Sequence, residues 1–190
     1  MKRFGPQLLS RNPVWVAPLA LPIALFASQT VELAALFAIL VLVVVPLTHG
    51  ISYFVEAWLP RYLRLVAVLI VASTVLAVAE TVLRLGGWGI AGRSLYMMRA
   101  ITVSGLVVWP TSVAPRDERF TDRLAVSCGL AVGFVIGFVP LAATRILFIG
   151  AGYRPADSVF MGFLLLAVGN IVINVYRRLA TDQRGRTPDA

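Results

Sequence analysis

Charge, cysteine and histidine are all scarce in this chain. Only 14% of its 190 residues are charged, against 59% hydrophobic. A soluble fold has no core large enough to use that much apolar surface, so a soluble globular domain is excluded. The single cysteine, Cys128, rules out an intrachain disulfide. It lies far in sequence from the single histidine, His49, and the two make no metal-site signature. No phosphate loop, nucleophile elbow or zinc motif occurs, so an autonomous enzyme is not expected. Strand-like alternation is also missing, which argues against an outer-membrane barrel.

What the chain does have is a series of apolar runs. Four are long: Val31–Leu47, Leu63–Leu85, Leu124–Ile149 and Ser158–Tyr176. Each approaches the roughly 20 residues that cross about 30 Å of hydrocarbon. Lipid offers the backbone no hydrogen-bond partners, so such spans must be helices. Two further runs are short. Val14–Ala27 carries Pro18 and Pro22, and Leu95–Trp109 carries Gly105 and is closed by Pro110. Pro22 interrupts a helical ladder and frees the carbonyl four residues back. Short, interrupted segments at matching places in two halves are the pattern of a membrane protein with a site at the bilayer midplane.

The expected fold is therefore all-α and polytopic, a single integral membrane domain over residues 1–190 with six transmembrane helices. Repeat one covers about 11–85 and repeat two about 93–177. Each has one short or broken helix, the first and the fourth, followed by two long ones. Three spans per half is an odd number, so the second repeat is inverted relative to the first. No cleaved leader is expected, because Leu25 occupies a position where a signal peptidase wants a small residue.

The net charge of +8 follows topology rather than nucleic acid. With the N-terminus inside, one face collects Lys2, Arg3, Arg11, Arg61, Arg64, Arg116, Arg119, Arg123, Arg177, Arg178, Arg184 and Arg186. The other face has Arg84, Arg93, Arg99 and Arg154. This bias places both termini in the cytoplasm and leaves lipid headgroups as partners of the basic ends. No aromatic-basic interleaving suggests nucleic-acid binding.

The second span is expected to end at Pro46, Thr48, His49 and Gly50. A connector then runs from Ile51 to Pro60, with Tyr53 and Trp58 suited to the headgroup region. His49 is expected at the interface rather than as a ligand. Arg116–Arg123 reads as a solvated loop. The fifth span carries Gly129, Gly133 and Gly137, whose four-residue spacing makes one small stripe for close helix packing. Pro140 is expected to kink it.

Charged groups inside spans are costly and each needs a reason. Glu80 precedes Arg84 by one turn, the favourable order for a helical pair. The pair either snorkels near the interface or presents a carboxylate to an ion path. Arg145 is expected to snorkel outward; the alternative is that it neutralises Glu80 or a partner's carboxylate. Asn170 and Asn174 share one face of the sixth span and suit helix-to-helix bonding. Ser73 and Thr74 can bond back to their own helix.

Several stretches resemble the small six-helix membrane subunits of Rnf and Nqr, the ion-translocating electron-transfer complexes. Leu9-Ser-Arg-Asn-Pro-Val-Trp-Val16 resembles the opening into the family's first half-helix. Leu63–Leu85, with Val71-Ala-Ser73, Glu80 and Arg84, resembles its third helix. Asp122–Phe134 resembles the glycine-rich start of its fifth, and Arg145 with Gly150-Ala-Gly152 that helix's end. The resemblance implies inverted three-helix repeats and pairing with another such subunit of opposite topology. It also implies one cysteine from each half-helix, so that four thiolates from two subunits hold a [2Fe-2S] cluster.

Here the chain departs from its relatives. Leu21 stands where the first cysteine is expected, and Ser104-Gly105 where the second is. Cys128 lies elsewhere, on the fifth span. Leucine and glycine side chains have no electron pair to give iron. No cofactor is therefore expected at the family site, and no metal. The resulting expectation is a non-redox integral membrane subunit of an Rnf/Nqr-like complex in the bacterial inner (cytoplasmic) membrane. It would scaffold other membrane subunits in a hetero-oligomer and contribute to a cation path. The alternatives are a stand-alone small transporter or channel, and a structural subunit recruited to an unrelated membrane complex.

Overall fold

The computed structural model describes residues 27–28, 30–87, 99, 101, 106–108, 119–153, 161–165, 167–172 and 175. Among them every regular element is helical. Three helices are long and apolar enough to cross a membrane: α1, Val31–Glu56; α2, Arg61–Leu85; and α3, Phe120–Gly150. A shorter apolar helical stretch covers Met161–Val172. The segments expected to form the first span and most of the fourth, with Leu21, Ser104, Gly105 and Asn174, lie outside the described residues.

Local chemistry explains where α1 begins and where α3 ends. Thr30 sits in extended backbone, and its Oγ1 accepts from the Leu33 N–H at 3.2 Å. That bond satisfies one of the four orphan donors of a helix start. Glu32 in the first turn suits the positive end of the helix dipole. At the far end of α3, the Tyr153 N–H donates to the Phe148 carbonyl and the Gly152 N–H to that of Ile149, both at 3.0 Å. This is a Schellman closure, which needs a left-handed residue, and Gly152 supplies it at φ +82°. The Phe148 and Tyr153 rings meet across the same turn at 6.1 Å.

Two expected boundaries are corrected. The second span does not stop near Pro46: α1 continues through Thr48, His49 and Gly50 to Glu56, so 51–56 is helix rather than connector. A proline removes one backbone donor, but the carbonyls beyond it still need partners in lipid, and continuing the helix supplies them. The polar residues that suggested a span end instead share one face. Thr48, His49, Ser52 and Glu56 are all buried. Likewise the charged stretch before the fifth span is not all loop. Helix α3 begins at Phe120, and Thr121, Asp122 and Arg123 lie in its first turn. Only Trp58 of the expected interfacial aromatics is openly displayed; Tyr53 packs on Phe54 and Phe120 at 5.5 and 5.4 Å.

The core lies between α1 and α3, which run antiparallel. Glu56 at the end of α1 meets Arg123 at the start of α3, and Phe37 near the start of α1 meets residues further along α3. The Phe37 ring stands edge-on to Phe134 and Phe138, at 5.7 and 5.9 Å, while those two stack on each other at 5.3 Å. Edge-to-face rings add to the area they bury. Gly129, Gly133 and Gly137 are buried along the same helix. Helix α2 turns back from α1 through Ala57–Pro60 and buries a narrow stripe, Ala67, Val68, Ala72 and Leu76. Its remaining faces stay apolar and exposed at Val66, Ile70, Val78 and Val82. As the sequence suggests, Ser73 and Thr74 bond back to the carbonyls of Leu69 and Ile70 at 2.8 and 2.9 Å.

Candidate functional site

The polar side chains of the described residues gather in three places. The first is the seam where α1 ends and α3 begins. The Arg123 guanidinium grips the Glu56 carboxylate with two bonds, Nη1 to Oε2 at 2.9 Å and Nη2 to Oε1 at 2.6 Å. Both side chains are nearly inaccessible, at 7% and 5%. A bidentate fork is the strongest geometry such a pair can take. The rings of Tyr53, Phe54 and Phe120 pack together beside it. One turn further into α1, Ser52 is buried, and His49 sets its Nε2 3.4 Å from the Leu106 carbonyl. Leu106 is the residue next to Gly105 in the fourth segment. On α3, Ser127 is buried and returns its hydroxyl to the carbonyls of Arg123 and Leu124.

The second place is Arg145. The expectation that it snorkels outward is wrong. It is the largest fully buried side chain among the described residues, and its Nη1 donates to Ser28 Oγ at 2.9 Å. Ser28 lies just before α1, so the contact closes the opposite end of the α1–α3 pair from Glu56 and Arg123. His49 is corrected in the same way, being fully buried rather than interfacial.

The third place is Glu80 on α2. Its Oε1 lies 2.7 Å from Arg84 Nη2, the expected one-turn pair, and its Oε2 lies 3.7 Å from Arg99 Nη2. The carboxylate is mostly covered, while both arginines are over half exposed. Glu80 therefore joins α2 to the fourth segment. Asn170 is half-buried on the Met161–Val172 stretch.

Of the predicted site residues, Glu80 and Arg84 pair with each other, and Arg145 bonds to Ser28. The Glu56–Arg123 pair is the feature that sequence reasoning missed. Its members are 67 positions apart, in stretches that read as connector and loop. The one available signal was periodicity: Thr48, Ser52 and Glu56 recur at four-residue steps, as do Arg123 and Ser127.

Two grooves open between the long helices. One of about 510 Å³ lies between α1 and α2, lined by residues such as Leu40, Val43, Val75, Ala79 and Leu83. Another of about 490 Å³ lies between α1 and the start of α3, along Leu42, Pro46, Phe54, Phe120 and Leu124. Among the described lining residues, Thr74 is the only one with a side-chain hydroxyl, and it is already bonded to its own helix. Neither groove has the converging polar groups that orient a polar substrate. No group of three or more His, Cys, Asp or Glu side chains suited to a metal ion occurs among the described residues.

Comparison with known families gives a match that spans nearly the whole chain. The model of the family described as Rnf-Nqr subunit, membrane protein, matches residues 1–176. The chain belongs to that family. A search of curated proteins finds no match.

Proposed function

We propose that this Rnf-Nqr family membrane protein is a non-redox subunit of an ion-translocating electron-transport complex, where it scaffolds other membrane subunits. The observation that carries this reading is the pair of replacements at the family's cysteine positions, Leu21 and Gly105. A [2Fe-2S] centre of the family type takes four thiolate-class ligands. The chain's one thiol, Cys128, sits on α3, far along the sequence from both positions. The donor set does not fit the cluster, so no electron-transfer step is assigned to this chain. Six spans in two inverted repeats, with both termini in the cytoplasm of a bacterial inner membrane, complete the proposal. They rest on segment pattern and charge bias.

The polar pairs support a scaffold more than a conduit. A carboxylate between two guanidiniums, as Glu80 is between Arg84 and Arg99, is a poor ligand for a further cation. We assign Glu80 and Arg84 to helix pairing, and the buried Arg145 with them. The exposed apolar faces of α2 suit lipid or partner helices.

The test is spectroscopic. The chain is purified anaerobically in mild detergent, and its iron, acid-labile sulfide and electron paramagnetic resonance spectrum are measured. The expected result is no stoichiometric iron and no [2Fe-2S] signal. A reducible cluster at one per chain, or per pair of chains, would contradict the proposal.

A further inference from the structure

The seam between α1 and α3 contains buried polar atoms that the protein itself leaves unsatisfied. Thr48 Oγ1, His49 Nδ1, Ser52 Oγ and Arg123 Nε have no hydrogen-bond partner within it. Thr48, His49 and Ser52 are fully buried, and Arg123 is 6% exposed. These atoms belong to one neighbourhood. Thr48 and His49 lie four and three residues before Ser52 and flank it on the same helix face. Ser52 lies one turn before Glu56, which holds Arg123. At the helical rise, Thr48 to Glu56 spans about 12 Å. The antiparallel register set by Glu56–Arg123 and Phe37–Phe138 brings Ser127 and Ala131 of α3 to this level. Both are small, and both are buried.

Native interiors almost always satisfy such atoms, with protein groups or with ordered water. We infer that this seam binds a small cluster of ordered water between α1 and α3. The mixture of hydrogen-bonding types selects the ligand. With Nε2–H of His49 donating to the Leu106 carbonyl, Nδ1 is an acceptor. Arg123 Nε–H is a donor only, and the two hydroxyls are both donor and acceptor. A metal cation would face the guanidinium's charge and its N–H. An anion would face the Glu56 carboxylate and the lone pair of His49. Water is neutral and serves donors and acceptors alike. The cluster would link the backbone of the fourth segment at Leu106 to the Glu56–Arg123 pair, and it does not depend on the subunit reading.

The first test uses the unaltered full chain in lipid nanodiscs and X-ray hydroxyl-radical footprinting, in which water lying against a buried side chain supplies the radical that oxidises it. His49 is expected to be oxidised well above Phe134 and Phe138, which are equally buried but sit in the apolar part of the same seam. Oxidation of His49 at or below the level of those rings would overturn the inference. A second measurement uses the double variant Thr48→Val, Ser52→Ala. If the hydroxyls anchor water, its thermal midpoint falls by several degrees. If they are dry, their removal relieves two unsatisfied groups and the midpoint rises, which would also overturn the inference.

Discussion

Glu56 and Arg123 show how far a residue's role depends on what faces it. Two charges taken out of water gain little over a well-packed apolar pair, yet breaking such a pair leaves one charge stranded. Arg123→Leu alone is therefore expected to destabilise the protein by about 3–5 kcal/mol. The double variant Glu56→Leu, Arg123→Leu is expected to recover most of that loss. A double-mutant cycle of unfolding in detergent measures both, and additive losses would contradict the assignment. Glu80 belongs at the other end of the scale. Its arginine partners are largely exposed, so Glu80→Gln is expected to cost no more than about 1 kcal/mol. Ion transport by the whole assembly should be unchanged in that variant, and a loss of transport would return Glu80 to a cation path. The Glu80–Arg84 pair is legible from sequence because four residues along a helix fix who meets whom. Glu56–Arg123 and Arg145–Ser28 are not, because partners 67 and 117 positions apart meet only once the helices pack.

At the scale of the element, the apolar runs locate the spans and misjudge their ends. Helix α2 occupies Arg61–Leu85, close to the apolar run from Leu63. Helices α1 and α3 both overrun their apolar runs, and the seam buries polar residues that hydropathy assigns to water, Thr48, His49, Ser52 and Glu56 on α1 and Arg123 on α3. The glycines of α3 were legible by spacing, and their burial fits a close approach of helices. Gly133→Leu is expected to wedge the packed face of α3 and destabilise by about 1–3 kcal/mol, the usual cost of overpacking. The same change at Ile136, a half-exposed position three residues on, should be nearly neutral. Thermal midpoints of the two variants make the comparison, and equal losses would remove the glycine stripe from the packing. Phe37→Ala, which empties the space before Phe134 and Phe138, is expected to cost about 3–5 kcal/mol.

For the molecule as a whole, composition alone placed the chain in a membrane, and the order of its motifs pointed to a family whose model matches residues 1–176. The proposed loss of the family's redox site rests on sequence alone, on Leu21 and Gly105 standing where the resemblance expects thiols, and both lie outside the described residues. The partners were not legible. Apolar side chains facing lipid look the same in sequence as those facing another helix, so the exposed apolar face of α2 names no partner. The most direct test of the account is to purify the tagged chain from its native membranes in mild detergent and identify by mass spectrometry everything that follows it. The account predicts flavin and iron–sulfur subunits of an electron-transport complex in constant ratio to this chain. A chain that comes out alone, only with itself, or with an unrelated membrane complex would contradict it.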